Sequence, residues 1–300
     1  MGKILVVGSS NTDMVIKAPE LPRPGETVLG GEFFSFAGGK GANQAVAAAK
    51  LGGDVIFLAK VGDDELGKNA IQSFQKLGID TSLIRSAKGL HSGVALILID
   101  GNGENSISVA SGANNSFTLA DIDSIDEVLG QTEFVLVQLE IPIPMVEYLV
   151  EKCSEKGVKV ILNPAPAAKL SLSCLAALNI ITPNETEAEM LTGVKVSDEK
   201  SAEKAAHVLL ESGVENVIIT LGAKGSFFLN RVEKGLVPAF SVQALDTTAA
   251  GDTFNGALAV ALAEGQSLKD SILFANRAAS ISVTRMGAQD SQPFRHEIIL

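Results

Sequence analysis

Short apolar runs without polar alternation recur along this chain, at residues 3–7, 55–60, 134–139, 158–162, 179–182 and 217–221. A strand with one face in water alternates polar and apolar residues. A run that does not alternate is buried on both faces, as in a parallel sheet covered by helices. Between these runs, residues 44–51, 65–77, 118–129, 144–156, 253–264 and 268–283 read as helices, with Gly52 and Gly78 as stops and Thr118 and Asp121 at capping-box spacing. The alternation predicts an α/β fold, a doubly wound, mostly parallel sheet flanked by helices. With 300 residues and 46% apolar content the chain can bury a large core, and residues 1–300 are expected to form a single α/β domain.

One part breaks the pattern. Residues 14–17, 27–30 and 33–36, separated by the Pro- and Gly-rich 18–25, read as short antiparallel strands, not as a crossover helix. Residues 92–100 and 105–110, joined by Gly101-Asn102-Gly103-Glu104, read as a β-hairpin. Together they predict a small antiparallel β lid, its strands at about 13–36 and 92–110, inserted in the domain.

Several function classes fall away. A net charge of −11 is unsuited to a nucleic-acid backbone or an anionic membrane, and with no Trp and Tyr148 as the one Tyr there is no stacking platform for single strands. No apolar run reaches membrane-spanning length and none at the start suits a signal peptide, so the expected location is cytoplasmic. Cys153 and Cys174 have neither metal-ligand nor disulfide spacing and read as reduced core residues, and the three histidines form no zinc-binding pair. The Gly-x-Gly-x-x-Gly fingerprint of a dinucleotide-binding protein is absent after the first strand.

The chemistry concentrates in a few stretches. In Asp246-Thr247-Thr248-Ala249-Ala250-Gly251-Asp252, the small residues Ala249, Ala250 and Gly251 open a helix, where unpaired N–H groups and the positive end of the dipole suit an anion. Asp252 adds a carboxylate beside that site. Phosphoryl transfer would use both; equally, an acidic residue in a first turn favours the helix electrostatically. On the latter ground the pKa of Asp252 is expected to be lowered, leaving it a weak base.

Gly38-Gly39-Lys40-Gly41-Ala42-Asn43 opens another helix with close backbone approach, one cation and one amide, which suits a polyhydroxylated ligand; Gly41 in place of Ser or Thr rules out a Walker A loop. Asn11 and Asp13 follow the first strand and Glu140 the 134–139 strand, at the end where open α/β sheets place ligands. Asn184 and Glu187 have capping-box spacing, and the same acidic helix start suits hydrated Mg²⁺; spacing does not separate the two. Thr220-Leu221-Gly222-Ala223-Lys224-Gly225 is a tight turn that by itself points weakly to nucleotide phosphate.

In this order these stretches, with Ser9-Ser10-Asn11-Thr12-Asp13 and Asn163-Pro164-Ala165-Pro166, resemble the PfkB carbohydrate kinase family over essentially the whole chain. The resemblance implies transfer of the ATP γ-phosphoryl group to the 5-hydroxyl of D-ribose. By the same resemblance Asn11, Asp13, Gly39, Lys40, Asn43 and Glu140 bind the sugar, Asp252 is the catalytic base, and Ala249, Ala250 and Gly251 form the anion hole, Ala249 standing where the wider family commonly has Gly. Asn184, Glu187, Thr220, Gly222, Gly225, Gly251 and Asn276 would line the ATP side, Glu187 holding Mg²⁺ through water. Asp246, Thr248, Ser282, Arg285, Gly287 and Ser291 match the positions of a monovalent cation such as K⁺, mostly through backbone carbonyls. Family members commonly form homodimers through the lid. Another sugar or nucleoside kinase of the family, or a sugar-binding module without catalysis, remains as an alternative; the all-polar set fits a free sugar better than a nucleobase.

Overall fold

The unalternating runs are interior strands because both of their faces meet helices. In the computed structural model, which describes residues 2–299, Ile4 and Val6 point into an apolar layer with Ala45, Val46, Leu258 and Ala275, while Leu5 and Val7 point into another with Val146, Leu149, Ala205 and Leu209. Helices Lys40–Lys50, Ala250–Ala263 and Leu268–Ser282 supply the first layer, and Ile143–Lys156 and Glu199–Glu211 the second. Each fully buried aliphatic side chain contributes roughly 1.5–3 kcal/mol.

The main sheet has eight strands, in the order Lys234–Val237, Ser226–Asn230, Asn216–Thr220, Ile180–Ile181, Lys159–Asn163, Thr132–Gln138, Lys3–Val7 and Val55–Leu58. All neighbours are parallel except the hairpin at one edge, where Ser226–Asn230 pairs antiparallel with both of its neighbours. From Lys3–Val7 the chain winds to Val55–Leu58 on one side; from Thr132–Gln138 it winds to Lys159–Asn163 on the other. The winding therefore reverses between Lys3–Val7 and Thr132–Gln138, and a crevice opens at their C-terminal ends.

The second sheet has four strands, in the order Glu32–Gly38, Asn11–Lys17, Gly93–Ile99 and Asn105–Ala110. It differs from expectation in three ways. Its central pair, Asn11–Lys17 with Gly93–Ile99, is parallel, because the two come from separate insertions and are not joined by a hairpin. Residues 27–30 form no strand, Gly30 having φ 92° and Leu29 lying exposed. The strand Asn11–Lys17 also begins sooner than 13, directly after the first strand of the main sheet. Both faces of this sheet carry apolar side chains that are more than half exposed, Phe33 and Leu96 on one and Ile107 and Val109 on the other.

Two further expectations change in detail. The 55–60 run splits at Ala59, since Lys60–Gly62 leaves the main sheet to pair with Arg85–Ala87. Residues 118–129 form two short helices, Leu119–Asp123 and Asp126–Leu129, the first begun by the expected Thr118–Asp121 capping box. Cys153 and Cys174 are buried free thiols in helices, and burial pushes both pKa values up to about 12. Among the described residues no helix is long and apolar enough to cross a membrane.

Candidate active site

The crevice begins where the first strand stops. Ser9, fully buried, donates its hydroxyl to Glu140 Oε2 at 2.6 Å, and the same oxygen accepts the backbone N–H of Lys40 at 2.9 Å. Glu140 thereby ties together the ends of both central strands and the start of the Lys40–Lys50 helix. Before that helix Gly39 has φ 89°, and a Cβ there would sit 2.7 Å from Asn11 N, so only glycine lets the two segments touch.

Asn43 and Gln44 sit in the first turns of this helix, which packs closely on the Ala250–Ala263 helix. Gly256 allows that approach: a Cβ on it would lie 2.6 Å from Ala47 Cβ. The result is that Asp252, only 5% exposed, accepts from Asn43 Nδ2 at 3.0 Å on Oδ2 and from Gln44 Nε2 at 3.0 Å on Oδ1. Asn43 is itself held by Gln289, which donates to its Oδ1 at 3.2 Å, and by Gln292, which donates to its carbonyl at 2.9 Å.

Burial raises the pKa of Asp252, and Lys40, Asn43 and Gln44 oppose the rise without cancelling it. The expectation of a lowered pKa is thus corrected: removal from water outweighs the helix start. Asp252 is consequently a better proton acceptor than a solvated aspartate. Burial also works against the charge on Lys40, but Asp252, Glu140, Glu187 and Asp13 outweigh it and raise its pKa. Four carboxylates thus act on one ammonium. Asp13, desolvated and facing Glu140 and Asp252, has its pKa pushed up to about 6 despite Lys40. Such a wall offers many acceptors to hydroxyl groups.

At the head of the Ala250–Ala263 helix, Ala249 has φ 57° and ψ 16°, the one non-glycine residue with positive φ among the described residues. After it, Ala250 N donates to the Thr247 carbonyl at 3.3 Å, and the N–H groups of Gly251 and Asp252 make no hydrogen bond among the described residues. A Cβ placed on Gly251 meets nothing within 4 Å, so the space beside these groups is open. An open set of N–H groups adjoining a buried carboxylate is suited to hold an anionic group while a proton leaves its reaction partner.

The Asn184–Glu187 capping box forms: Asn184 N donates to Glu187 Oε2 at 2.9 Å, and Glu187 N to Asn184 Oδ1 at 2.8 Å. Glu187 also faces the crevice, since burial raises its pKa while the Asn184 hydrogen bond and the charge of Lys40 lower it. The capping bond uses one carboxylate oxygen of Glu187, Oε2. Thr220 adjoins Asn184 through a parallel bridge, and the turn after it places Gly222 at φ 55° and Gly225 at φ 102°. Asn276 accepts from Ser226 Oγ at 2.8 Å and donates to the carbonyls of Val237 and Pro238, so its side chain fixes this wall from behind.

A separate rim lies behind the helix start. Asp246 accepts from Thr248 N and Gly287 N, each at 2.9 Å; burial acts to raise its pKa, but these bonds prevail and keep it ionised. The hydroxyls of Ser282 and Ser291 turn back to the carbonyls of Ala279 and Ala288, and the Arg285 guanidinium pairs with Glu297. No cluster of three or more His, Cys, Asp or Glu suited to a metal ion exists among the described residues.

The pfkB family carbohydrate kinase pattern matches residues 1–295. The chain belongs to that family. It is 47% identical over 296 residues to the ribokinase of Haemophilus influenzae, covering 99% of this chain and 97% of that one. Among solved structures, the ribokinase of Thermotoga maritima superposes with a TM-score of 0.89 at 41% identity, covering 99% of this chain and 98% of that one. The ribokinase of Arabidopsis thaliana, complexed with ribose and ATP, gives 0.91 at 33% identity over 98% and 96% of the two chains. As a pfkB carbohydrate kinase the chain carries the ribokinase-like α/β fold.

For this pfkB chain, residues read from sequence as the sugar side and the catalytic aspartate converge on one crevice, with Glu187 in electrostatic reach and the Asp246 rim behind. Sequence reasoning missed the supports. Asn114, 1% exposed, donates Nδ2 to Asn11 Oδ1 at 2.7 Å; Ser9, Gln44, Gln138 and Asn163 form the floor. Ser9, Gln44 and Asn163 lie inside stretches that carry the family resemblance, without a role read for them. Asn114 and Gln138 carry only the signal of amide residues in a turn or at the end of a buried strand.

Proposed function

We propose that this chain transfers the γ-phosphoryl group of ATP to the 5-hydroxyl of D-ribose, yielding ribose 5-phosphate and ADP. The observation that carries the reading is Asp252, buried and of raised pKa, beside an open helix N-terminus and under a wall of hydroxyl acceptors. Asn11, Asp13, Gly39, Lys40, Asn43 and Glu140 hold the sugar hydroxyls. Asp252 orients the 5-hydroxyl and accepts its proton as the oxygen bonds to the γ-phosphorus and the bond to the ADP oxygen breaks. The N–H groups from Ala249 to Gly251 hold the phosphoryl oxygens. If the transition state is loose, the proton moves late and positioning carries most of the effect.

Asn184, Glu187, Thr220, Gly222, Gly225, Gly251 and Asn276 line the ATP side, Asn276 from behind. Glu187, with one oxygen outside the capping box, fits water-mediated Mg²⁺, which when bound neutralises phosphate charge. Asp246, Thr248, Ser282, Arg285, Gly287 and Ser291 form the K⁺ rim, mainly through carbonyls. The four-stranded sheet acts as a lid on a single catalytic domain, its exposed apolar side chains joining two copies as a homodimer. The setting is the cytoplasm.

ADP release with ribose, with and without K⁺, tests the reading. Ribose-dependent turnover stimulated by K⁺ is expected; turnover with fructose or a nucleoside and none with ribose would move the chain to another member activity of its family. Sugar binding without ADP would make it a binding module.

A further inference from the structure

Gln44 is wholly buried, and every polar atom of its side chain is engaged inside the crevice floor. Nε2 donates to Asp252 Oδ1 at 3.0 Å and to Asn163 Oδ1 at 3.1 Å, while Oε1 accepts from Gln138 Nε2 at 2.6 Å. Asn163 is oriented in turn by donating Nδ2 to the Thr182 carbonyl at 3.2 Å. These contacts fix which end of the Gln44 amide meets the carboxylate. Turning the amide over would set Oε1 against two acceptors.

The arrangement is not what packing alone would select. Gln138 Oε1 is buried without a partner, a cost that an apolar residue at that position would avoid. What the pair of glutamines achieves is a donor held rigidly under one oxygen of Asp252.

We propose that Gln44 is a positioning residue for phosphoryl transfer, holding Asp252 Oδ1 so that Oδ2, the oxygen bonded to Asn43, is presented to the acceptor hydroxyl. The proposal rests on the ribose-phosphorylating role of the site. With no exposed surface, Gln44 cannot reach the sugar and acts only through Asp252. Asn43, one residue before it, borders the crevice and can exchange its bond to Oδ2 for one to substrate. A donor under Oδ1 also favours the ionised carboxylate against burial.

The test is Gln44→Met, of similar length and without the donor. Turnover with ribose should fall about ten- to a hundred-fold, and the acid limb of the kcat–pH profile should move up by about one unit, the effect of losing a hydrogen bond to a charged group. Ribose affinity should change no more than a few-fold. Asn163→Ala removes the other acceptor of Gln44 and keeps the Asp252 contact, so its acid limb should stay at the wild-type position. Should Gln44→Met fail to fold, Gln44→Glu replaces it; a second carboxylate sharing a proton with Asp252 moves the limb further up. An unmoved limb in the Gln44 variant, or an equal shift in Asn163→Ala, overturns the positioning role. Absence of ribose-dependent ADP from the wild type overturns the kinase reading itself.

Discussion

Gly41 rests its Cα against the backbone of Gly8: a Cβ on Gly41 would lie 2.6 Å from the Gly8 carbonyl carbon and from Ser9 N. This contact seats the Lys40–Lys50 helix on the end of the first strand and sets where Lys40, Asn43 and Gln44 stand. Neither partner is the movable end of a side chain. Gly41→Ala should therefore destabilise the protein by roughly 1–3 kcal/mol, the usual cost of overpacking. It should also lower kcat, since the helix must shift. Urea unfolding with paired kinetics checks both.

Asp13 links stability to pH. Its folded pKa of about 6 lies above the ordinary 3.8, so the folded state binds this proton more tightly than the unfolded chain. Ionised Asp13 thus weakens the fold at pH above about 6, and that penalty disappears as pH falls towards about 4. Asp13→Asn should stabilise the protein at about pH 7.5 and have little effect at about pH 4. The same change should weaken ribose binding, because an ionised acceptor for hydroxyls is lost. Denaturant titrations at the two pH values, with ribose affinity measured alongside, provide the check.

Ala249 holds a left-handed conformation with φ 57° that costs an L-residue with a Cβ roughly 1 kcal/mol. Ala249→Gly should raise stability by up to about 1 kcal/mol and leave turnover near wild type, since the N–H groups keep their aim. Ala249→Val, β-branched at the same φ, should lose both. Thermal melts and ADP release distinguish the three proteins.

How far the sequence revealed this molecule can be argued from those residues. Both apolar layers were legible because Ile4 and Val6 face one and Leu5 and Val7 the other, leaving a run with no polar member. The helix starts at Lys40 and Ala250 were marked by glycine and small residues, whose local geometry needs no tertiary knowledge. Pairing direction was not legible: nothing in residues 11–17 says that its inner neighbour would be Gly93–Ile99, and parallel. The pKa of Asp252 could not be read either, because it depends on how completely two helices close over it, which Gly256 and Ala47 decide. Gln44 stood beside Asn43 in plain view, but its contact with Asp252 spans 208 positions.

The central claim is that Asp252 accepts the proton of the ribose hydroxyl that becomes phosphorylated. It is tested most directly by single-turnover and steady-state ADP release with ribose for wild type and Asp252→Asn, with ribose affinity measured independently. The expected result is a kcat lower by roughly 10²–10⁴-fold, the range for a general base, with ribose affinity nearly unchanged. Near-wild-type turnover in Asp252→Asn would contradict it.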